Sequence, residues 1–260
     1  LQRHVIAIAG VELEMHEAGE GPPILFLHGA QGFAAEHPYV AALSERHRLI
    51  APSHPGFGTS SLPDWIDAVD DIAYIHLELL DRLRLDQVDV IGCSIGGWIA
   101  AELAAKAPKT VRRLVLVGPV GVKTGPVDRL DVPDIFALPQ GDLQKLLFHD
   151  PERMRVDPAR LSDEQLAISA RNRETLALLS WEPYMHNPKL RHRLHRVTAQ
   201  ALFLRGESDG LVSAEYLAAY ARLLPNARTT TIAAAGHAPH VEQPEAFTRT
   251  VLQFLEAGAV

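Results

Sequence analysis

The amino-acid sequence predicts an α/β fold: a mostly parallel sheet with helices on both faces and a helical insertion. Three observations predict it. Short runs such as Ile24-Leu25-Phe26-Leu27, Leu114-Val115-Leu116-Val117 and Ala201-Leu202-Phe203-Leu204 are continuously apolar, as strands buried on both faces of a parallel sheet are. Segments of helical spacing alternate with these runs over short links, the rhythm that covers both faces of a sheet with helices. The rhythm stops at Gly121 and resumes after Arg196.

Taken in order, His4 to Ile8 and Val11 to His16 alternate apolar and polar residues around Gly10, which predicts a hairpin of half-buried strands. After the turn at Gly19 to Pro23 come the Ile24–Leu27 strand, the His28-Gly29-Ala30-Gln31-Gly32 loop and a helix around Val40 to Glu45. A short strand, Arg48 to Ala51, leads into the turn-rich Pro52 to Ser60. Ile72, Ile75, Leu79 and Leu83 mark one face of a helix from Asp70 to Leu83. Val88 to Ile91 is a further strand, Ile95 to Ala107 a helix, and Leu114 to Val117 the next strand.

From Gly121 to Arg196, prolines at 126, 133, 139, 151, 158, 183 and 188 punctuate helix-like pieces. The longest spans Ser162 to Trp181 and opens on the capping pattern Ser162-Asp163-Glu164-Gln165. So long a stretch without a buried strand is too long for a bare loop in a compact domain. The expected organisation is a core made of residues 1–120 and 197–260 and a helical cap of residues 121–196. Alternation returns with the Ala201–Leu204 strand, a helix at Ala214 to Leu223, a strand near Thr229 to Ala233 and a final helix from Glu245 to Glu256.

Composition narrows the function classes. A net charge of -7 argues against a nucleic-acid or anionic-membrane surface. No apolar run is long enough for a transmembrane helix. The single cysteine excludes an internal disulfide and fits a reducing compartment, and Leu1 to Ile6 lacks a signal-peptide core, so a soluble cytoplasmic protein is expected. The thirteen histidines show no H-E-x-x-H spacing and no C-x-x-C exists, so neither a metal nor another cofactor is expected. Whether the protein is a monomer or a homo-oligomer is left open.

The stretch Val88-Asp89-Val90-Ile91-Gly92-Cys93-Ser94-Ile95-Gly96-Gly97-Trp98 joins a strand to a helix through Gly-x-Ser-x-Gly. In such an elbow the sharp turn exposes the serine hydroxyl, and the glycines stand where a side chain would meet the neighbouring strand or helix. A phosphate cradle is the competing reading, but no Lys-Ser/Thr follows and G-x-G-x-x-G is absent.

A serine hydroxyl needs a base, and the base an orienting acid. In a parallel sheet such groups gather on loops leaving the carboxyl ends of strands. That rule selects Asp209, in Gly206-Glu207-Ser208-Asp209-Gly210, and His237, in Ala235-Gly236-His237-Ala238-Pro239-His240. The order Ser94, Asp209, His237 is the one belonging to this elbow class. Asp128, Asp131 and Asp134 are alternative acids, Cys93 reads best as a packing thiol, and His54 and His240 are either structural or substrate-facing.

The chain resembles the α/β-hydrolase family of the compact, cap-bearing serine esterase type over nearly its whole length. The motifs that carry the resemblance are His28-Gly29-Ala30, Gly56-Phe57-Gly58-Thr59-Ser60, the Ser94 elbow, Gly206-Glu207-Ser208-Asp209, and Gly236-His237 followed by Glu242-x-Pro244. It implies Ser94 as nucleophile, His237 as general base and Asp209 as its acid. It implies an oxyanion hole from the backbone N–H groups of Ala30 and Ile95, with Gln31 a lesser contributor and His28 a brace for the loop. Trp98, Trp181 and Tyr184, with Phe136, Leu147, Phe148 and Met185, are candidates to line an acyl pocket.

The expected activity is hydrolysis of small to medium carboxylic esters through an acyl-enzyme, with a small-molecule ester as substrate and neither nucleic acid nor membrane as partner. A carbon–carbon hydrolase of ring-cleavage products stays open, with Arg171 and Arg173 as candidate carboxylate binders. Those enzymes usually carry Asn before the nucleophile and Trp after the histidine, where this chain has Cys93 and Ala238. A perhydrolase, thioesterase or acyltransferase would use the same triad, and a triad-bearing ligand receptor is the alternative from another class.

Overall fold

A computed structural model describes residues 1–257. β1 (Gln2–Ile8) and β2 (Val11–Ala18) form the expected hairpin. β3 (Pro23–Leu27), β4 (Arg48–Pro52), β5 (Val88–Cys93), β6 (Val111–Val117), β7 (Gln200–Gly206) and β8 (Ala227–Ile232) run parallel to one another. They make one eight-stranded sheet in the order β1-β2-β4-β3-β5-β6-β7-β8, and β2 enters it antiparallel to β4.

The continuous apolar runs have a simple cause. Side chains alternate across a strand, so Leu25, Leu27, Val90, Leu114, Leu116 and Phe203 serve one core while Ile24, Phe26, Ile91, Val115, Val117 and Leu204 serve the other. α1 (Pro38–Ser44) and the last helix close the second face with Tyr39, Val40, Leu43, Phe247, Val251 and Phe254. α2 (Val69–Arg82) and α3 (Ile95–Lys106) close the first. Ile95 to Ala105 are buried on every side, so α3 has no polar face to show in its sequence.

Between β6 and β7 lie α4 (Gln140–Leu147), α5 (Asp163–Ser180) and three short 3₁₀ turns. α5 begins as its sequence announces: Ser162 Oγ accepts the Gln165 N–H at 3.2 Å and Gln165 Oε1 accepts the Ser162 N–H at 2.9 Å. The two ends of this segment meet. Gly121 bridges to His186, donating to the Met185 carbonyl and accepting from the Asn187 N–H, both at 3.0 Å. Asn187 Nδ2 also donates to Oε1 of the buried Glu102 on α3 at 2.6 Å.

After β7 come α6 (Ala214–Ala221), which stops short of Leu223, then α7 (Pro239–Glu242) and α8 (Pro244–Glu256). α7 has too few residues for a periodic signal, and sequence reading leaves it as loop. Among the described residues no helix is long and apolar enough to cross a membrane.

Candidate active site

The parallel strands end together, so the loops after β3, β5, β7 and β8 converge at one edge of the sheet. Ser94 sits at the sharpest of these ends, with φ 54° and ψ −117°, a backbone that non-glycine residues rarely adopt. The surroundings hold it there. Its N–H donates to Val117 O at 2.8 Å, and its carbonyl accepts the N–H groups of Gly97 at 2.9 Å and Trp98 at 3.2 Å. The elbow glycines are steric necessities, as expected. A Cβ on Gly92 would strike the Gly96 carbonyl, and one on Gly96 would strike the carbonyls of Leu27 and His28.

Asp209 follows β7, and its carboxylate is fully buried. Oδ1 accepts the N–H groups of Leu211 at 3.0 Å and Val212 at 2.9 Å, which aims Oδ2 at His237 Nδ1, 3.0 Å away. Since a carboxylate only accepts, Nδ1 carries the proton and Nε2 is the free lone pair. Nε2 is buried and takes no hydrogen bond among the described residues, so Ser94 Oγ is not bonded to it in this structure. Serine and base nevertheless share one neighbour, the Val117-Gly118 peptide. Val117 holds the Ser94 N–H, and a Cβ on Gly118 (φ 49°) would lie 3.0 Å from both His237 Cε1 and Nδ1.

The loop that presents His237 is tied from outside the sheet. Glu242 is buried on α7 and accepts the N–H groups of Gly236 at 2.6 Å, His149 at 2.8 Å and Asp150 at 3.2 Å. Leu147, the last residue of α4, accepts the His237 N–H at 2.6 Å, and Leu146 accepts that of Gly210 at 3.0 Å. Gly118 and these α4 carbonyls escaped sequence reading. Glu242 stood in a motif there without a role.

The oxyanion candidates lie on the other side of the serine. Gly29 is next to Ser94, a Cβ there standing 3.5 Å from the serine Cβ. Gly32 N–H donates to Gly29 O at 3.1 Å, so Ala30 occupies the first corner of a four-residue turn. Ile95 is the first residue of α3, where the N–H has no partner within the helix. Among the described residues no backbone carbonyl takes up either N–H.

Beneath this turn runs a chain of three buried imidazoles that the sequence did not reveal as a unit. His28 Nδ1 bonds Gly29 O at 2.7 Å, and His28 Nε2 accepts the His54 N–H at 3.1 Å. His54 Nε2 bonds His28 O at 3.0 Å, and His54 Nδ1 lies 2.8 Å from His76 Nε2. Carbonyls only accept, so the protons sit on His28 Nδ1, His54 Nε2 and His76 Nε2, and all three rings are neutral. Burial pushes His28 down to about 4, with partial relief from the Gly29 carbonyl, and His76 down to about 3. Burial and the two neighbouring rings hold His54 well below the usual imidazole range. His28 is thus the brace that was expected, and His54 is its support.

The remaining candidates separate. Asp131 caps the Thr124 and Gly125 N–H groups and Asp134 those of Phe136 and Ala137; the base is bonded to Asp209. Cys93 is buried, its thiol pushed up by burial, 4.0 Å from Nδ1 of the half-buried His240. His240 packs among Phe26, Tyr39 and Phe247. Arg171 gives its guanidinium to the carbonyls of Gly58 and Ser60, and Arg173 lies over the Phe136 ring. Gln31 turns an exposed side chain outward.

Trp98 is buried, with its ring against Gly121. Trp181, 55% exposed, and Tyr184 both meet Phe136, at ring-centroid separations of 5.6 and 6.3 Å. The Tyr184 hydroxyl donates to Pro133 O at 2.7 Å and accepts the Ile135 N–H at 2.9 Å. Tyr184 also lines, with Val122, Met185 and Tyr216, a cavity of about 310 Å³ that Ser94 does not reach.

Comparison with known proteins agrees with this architecture. A family profile described as "Alpha/beta hydrolase family" matches residues 24–250. A 2-hydroxy-6-oxo-2,4-heptadienoate hydrolase of Pseudomonas putida F1 is 29% identical, the match covering 97% of this chain and 96% of that protein. A 2-hydroxymuconate semialdehyde hydrolase of Pseudomonas putida is 28% identical over 99% of this chain and 95% of its own. Among solved structures, a membrane phospholipase A described as a bacterial virulence factor superposes with a TM-score of 0.81 at 24% identity, covering 98% of this chain and 86% of that one. At that identity the likeness is one of fold.

Proposed function

This chain belongs to the alpha/beta hydrolase family, and from that premise we propose that it cleaves small to medium carboxylic esters through an acyl-enzyme on Ser94. One observation carries the reading: a strained serine and an Asp209-bound His237 with a free Nε2 flank the same Val117-Gly118 peptide. His237 Nε2 takes the Ser94 proton as Oγ attacks the ester carbonyl carbon. The carbonyl oxygen becomes an oxyanion that accepts the Ala30 and Ile95 N–H groups, preset donors being worth most where charge develops. The tetrahedral intermediate expels the alkoxide, which leaves with the proton from His237. Water then repeats the sequence on the acyl-enzyme, and Asp209 holds the ring in one tautomer throughout.

Turnover of p-nitrophenyl butyrate, with a fluorophosphonate mapped to Ser94, tests this directly. Ser94→Ala should lower kcat by a factor on the order of 10⁴ to 10⁶ with the fold intact. Label on Cys93 instead would refute the assignment.

A second reading, hydrolysis of a carbon–carbon bond in a ring-cleavage dienoate, draws support from the two Pseudomonas relatives. Against it stand Cys93 and Ala238 and the commitment of Arg171 to two backbone carbonyls. The same preparation assayed with such a dienoate separates the two. A kcat/KM above that for the butyrate ester by about a hundredfold or more, well beyond what one methylene contact discriminates, would favour the second reading.

A further inference from the structure

The turn that carries Ala30 is pinned at three carbonyls by three side chains. His54 holds His28 O and His28 holds Gly29 O, both from the core. The third pin comes from α5: Asn172 Nδ2 donates to Gln31 O at 3.2 Å, across a sequence separation of 141 residues. Asn172 is 3% exposed, and its Oδ1 accepts the Gly58 N–H at 2.9 Å. The two partners fix the amide orientation, because the flipped form would set NH₂ against N–H and carbonyl against carbonyl.

What Asn172 holds is connected to the donor by planar peptides. A trans peptide points its C=O and its N–H in opposite directions. Fixing Gln31 C=O therefore fixes Gly32 N–H, which bonds Gly29 O. Gly29 C=O in turn shares a plane with Ala30 N–H. We propose that Asn172 is a positioning residue: through Gln31 and Gly32 it orients the Ala30 N–H, so this donor is set only while α5 is docked on the core. The proposal rests on the reading of Ala30 as an oxyanion donor.

The same helix supplies its own control. Thr175 Oγ1 donates to Gly56 O at 2.8 Å and is equally buried, yet among the described residues it makes no hydrogen bond to the Ala30 turn. Thr175→Val weakens docking alone. Asn172→Ala removes both amide bonds, and Asn172→Asp keeps an acceptor for Gly58 N–H while facing Gln31 O with a carboxylate oxygen.

The experiment measures kcat and KM for p-nitrophenyl butyrate together with backbone hydrogen exchange of residues 29–32 in all three variants. Both Asn172 variants should lower kcat by about 10- to 100-fold, the scale of a small misplacement, with KM within about threefold. Exchange at residues 29–32 should quicken by about tenfold or more in those variants and stay within about threefold of wild type in Thr175→Val. Equal losses in Asn172→Ala and Thr175→Val, a loss confined to KM, or unchanged exchange in both Asn172 variants would overturn the proposal. If wild type turns over no ester, the ester reading fails, while the exchange comparison still decides for or against Asn172.

Discussion

The two halves of the site are held in opposite ways. The half with Ser94, Asp209 and His237 is held chiefly by main chain: carbonyls and N–H groups fix Ser94, Asp209 and the His237 loop, with the buried Glu242 carboxylate as one side-chain tie. Gly92 and Gly96 stand where no Cβ fits, and Gly118 stands where one would crowd the His237 ring. The half with Ala30 is held by side chains, namely His28, His54, His76 and Asn172. A main-chain frame tolerates no added methyl, whereas a side-chain frame tolerates no lost proton donor. The difference predicts which perturbation each half will feel.

After loss of the nucleophile itself, the largest effect should come from the carboxylate bonded to the base. Asp209→Asn keeps the shape but presents an amide to His237, which favours the wrong tautomer, and kcat should fall by about 10⁴. Steady-state kinetics on a p-nitrophenyl ester measure it. A near-normal rate would show that the base is oriented by the loop alone.

A single methyl tests the frame itself. Gly118→Ala sets a Cβ 3.0 Å from the His237 ring at φ 49°. The ring must give by a few tenths of an ångström, and kcat should fall by about tenfold, less than the loss a full ångström of misplacement would bring. The same change at Gly141, where a Cβ meets nothing within 4 Å, serves as the neutral reference.

Acid should strike the second half. His28, His54 and His76 titrate below the ordinary 6.5 in the folded protein. Above about pH 6.5 neither state binds protons on these rings, and the full stability is present. As pH falls below 6.5 the unfolded chain gains protons that the folded one refuses, so stability drops, for His28 and His76 until their folded values of about 4 and about 3 are reached. Each ring contributes a slope approaching about 1.4 kcal/mol per pH unit. Urea unfolding at several values between pH 6.5 and 4.5 reads the slope, and His76→Gln should flatten it by one ring's share. An unchanged slope would mean that His76 is not held neutral.

The contrast also explains what could be read from the chain alone. The strands of the parallel sheet were legible because the central ones had to be apolar on both faces, and the elbow because Gly92 and Gly96 obey a local steric rule. Asp209 and His237 were legible from strand ends. His54 and His76 looked like any buried histidine, since only the folded chain brings them within 2.8 Å. Asn172 gave no signal at all, its partners lying on two distant loops. α7 had too few residues to show a period.

The smallest effect is reserved for side chains that touch neither half. Trp181 meets Phe136 and is largely exposed. If it edges the acyl site, Trp181→Ala should move the preference between butyrate and octanoate esters by about tenfold, the low end for a hydrophobic contact, and leave acetate kcat within about twofold. Ratios of kcat/KM across the ester series supply the measurement. A flat profile assigns Trp181 to packing on Phe136.

The paired neck at Gly121 and His186 has a consequence for how such a chain can diversify. Because its ends already touch, the stretch between them can grow, shrink or be exchanged at little entropic cost; doubling a loop adds only about 0.6 kcal/mol. The sheet would scarcely register the graft. The loops of the site would, since the native stretch gives Gly210 and His237 the carbonyls of Leu146 and Leu147 and gives Gln31 the amide of Asn172. A transplanted segment inherits a foldable host, but on the proposed chemistry its turnover should be impaired until it evolves its own partners for Gly210, His237 and Gln31.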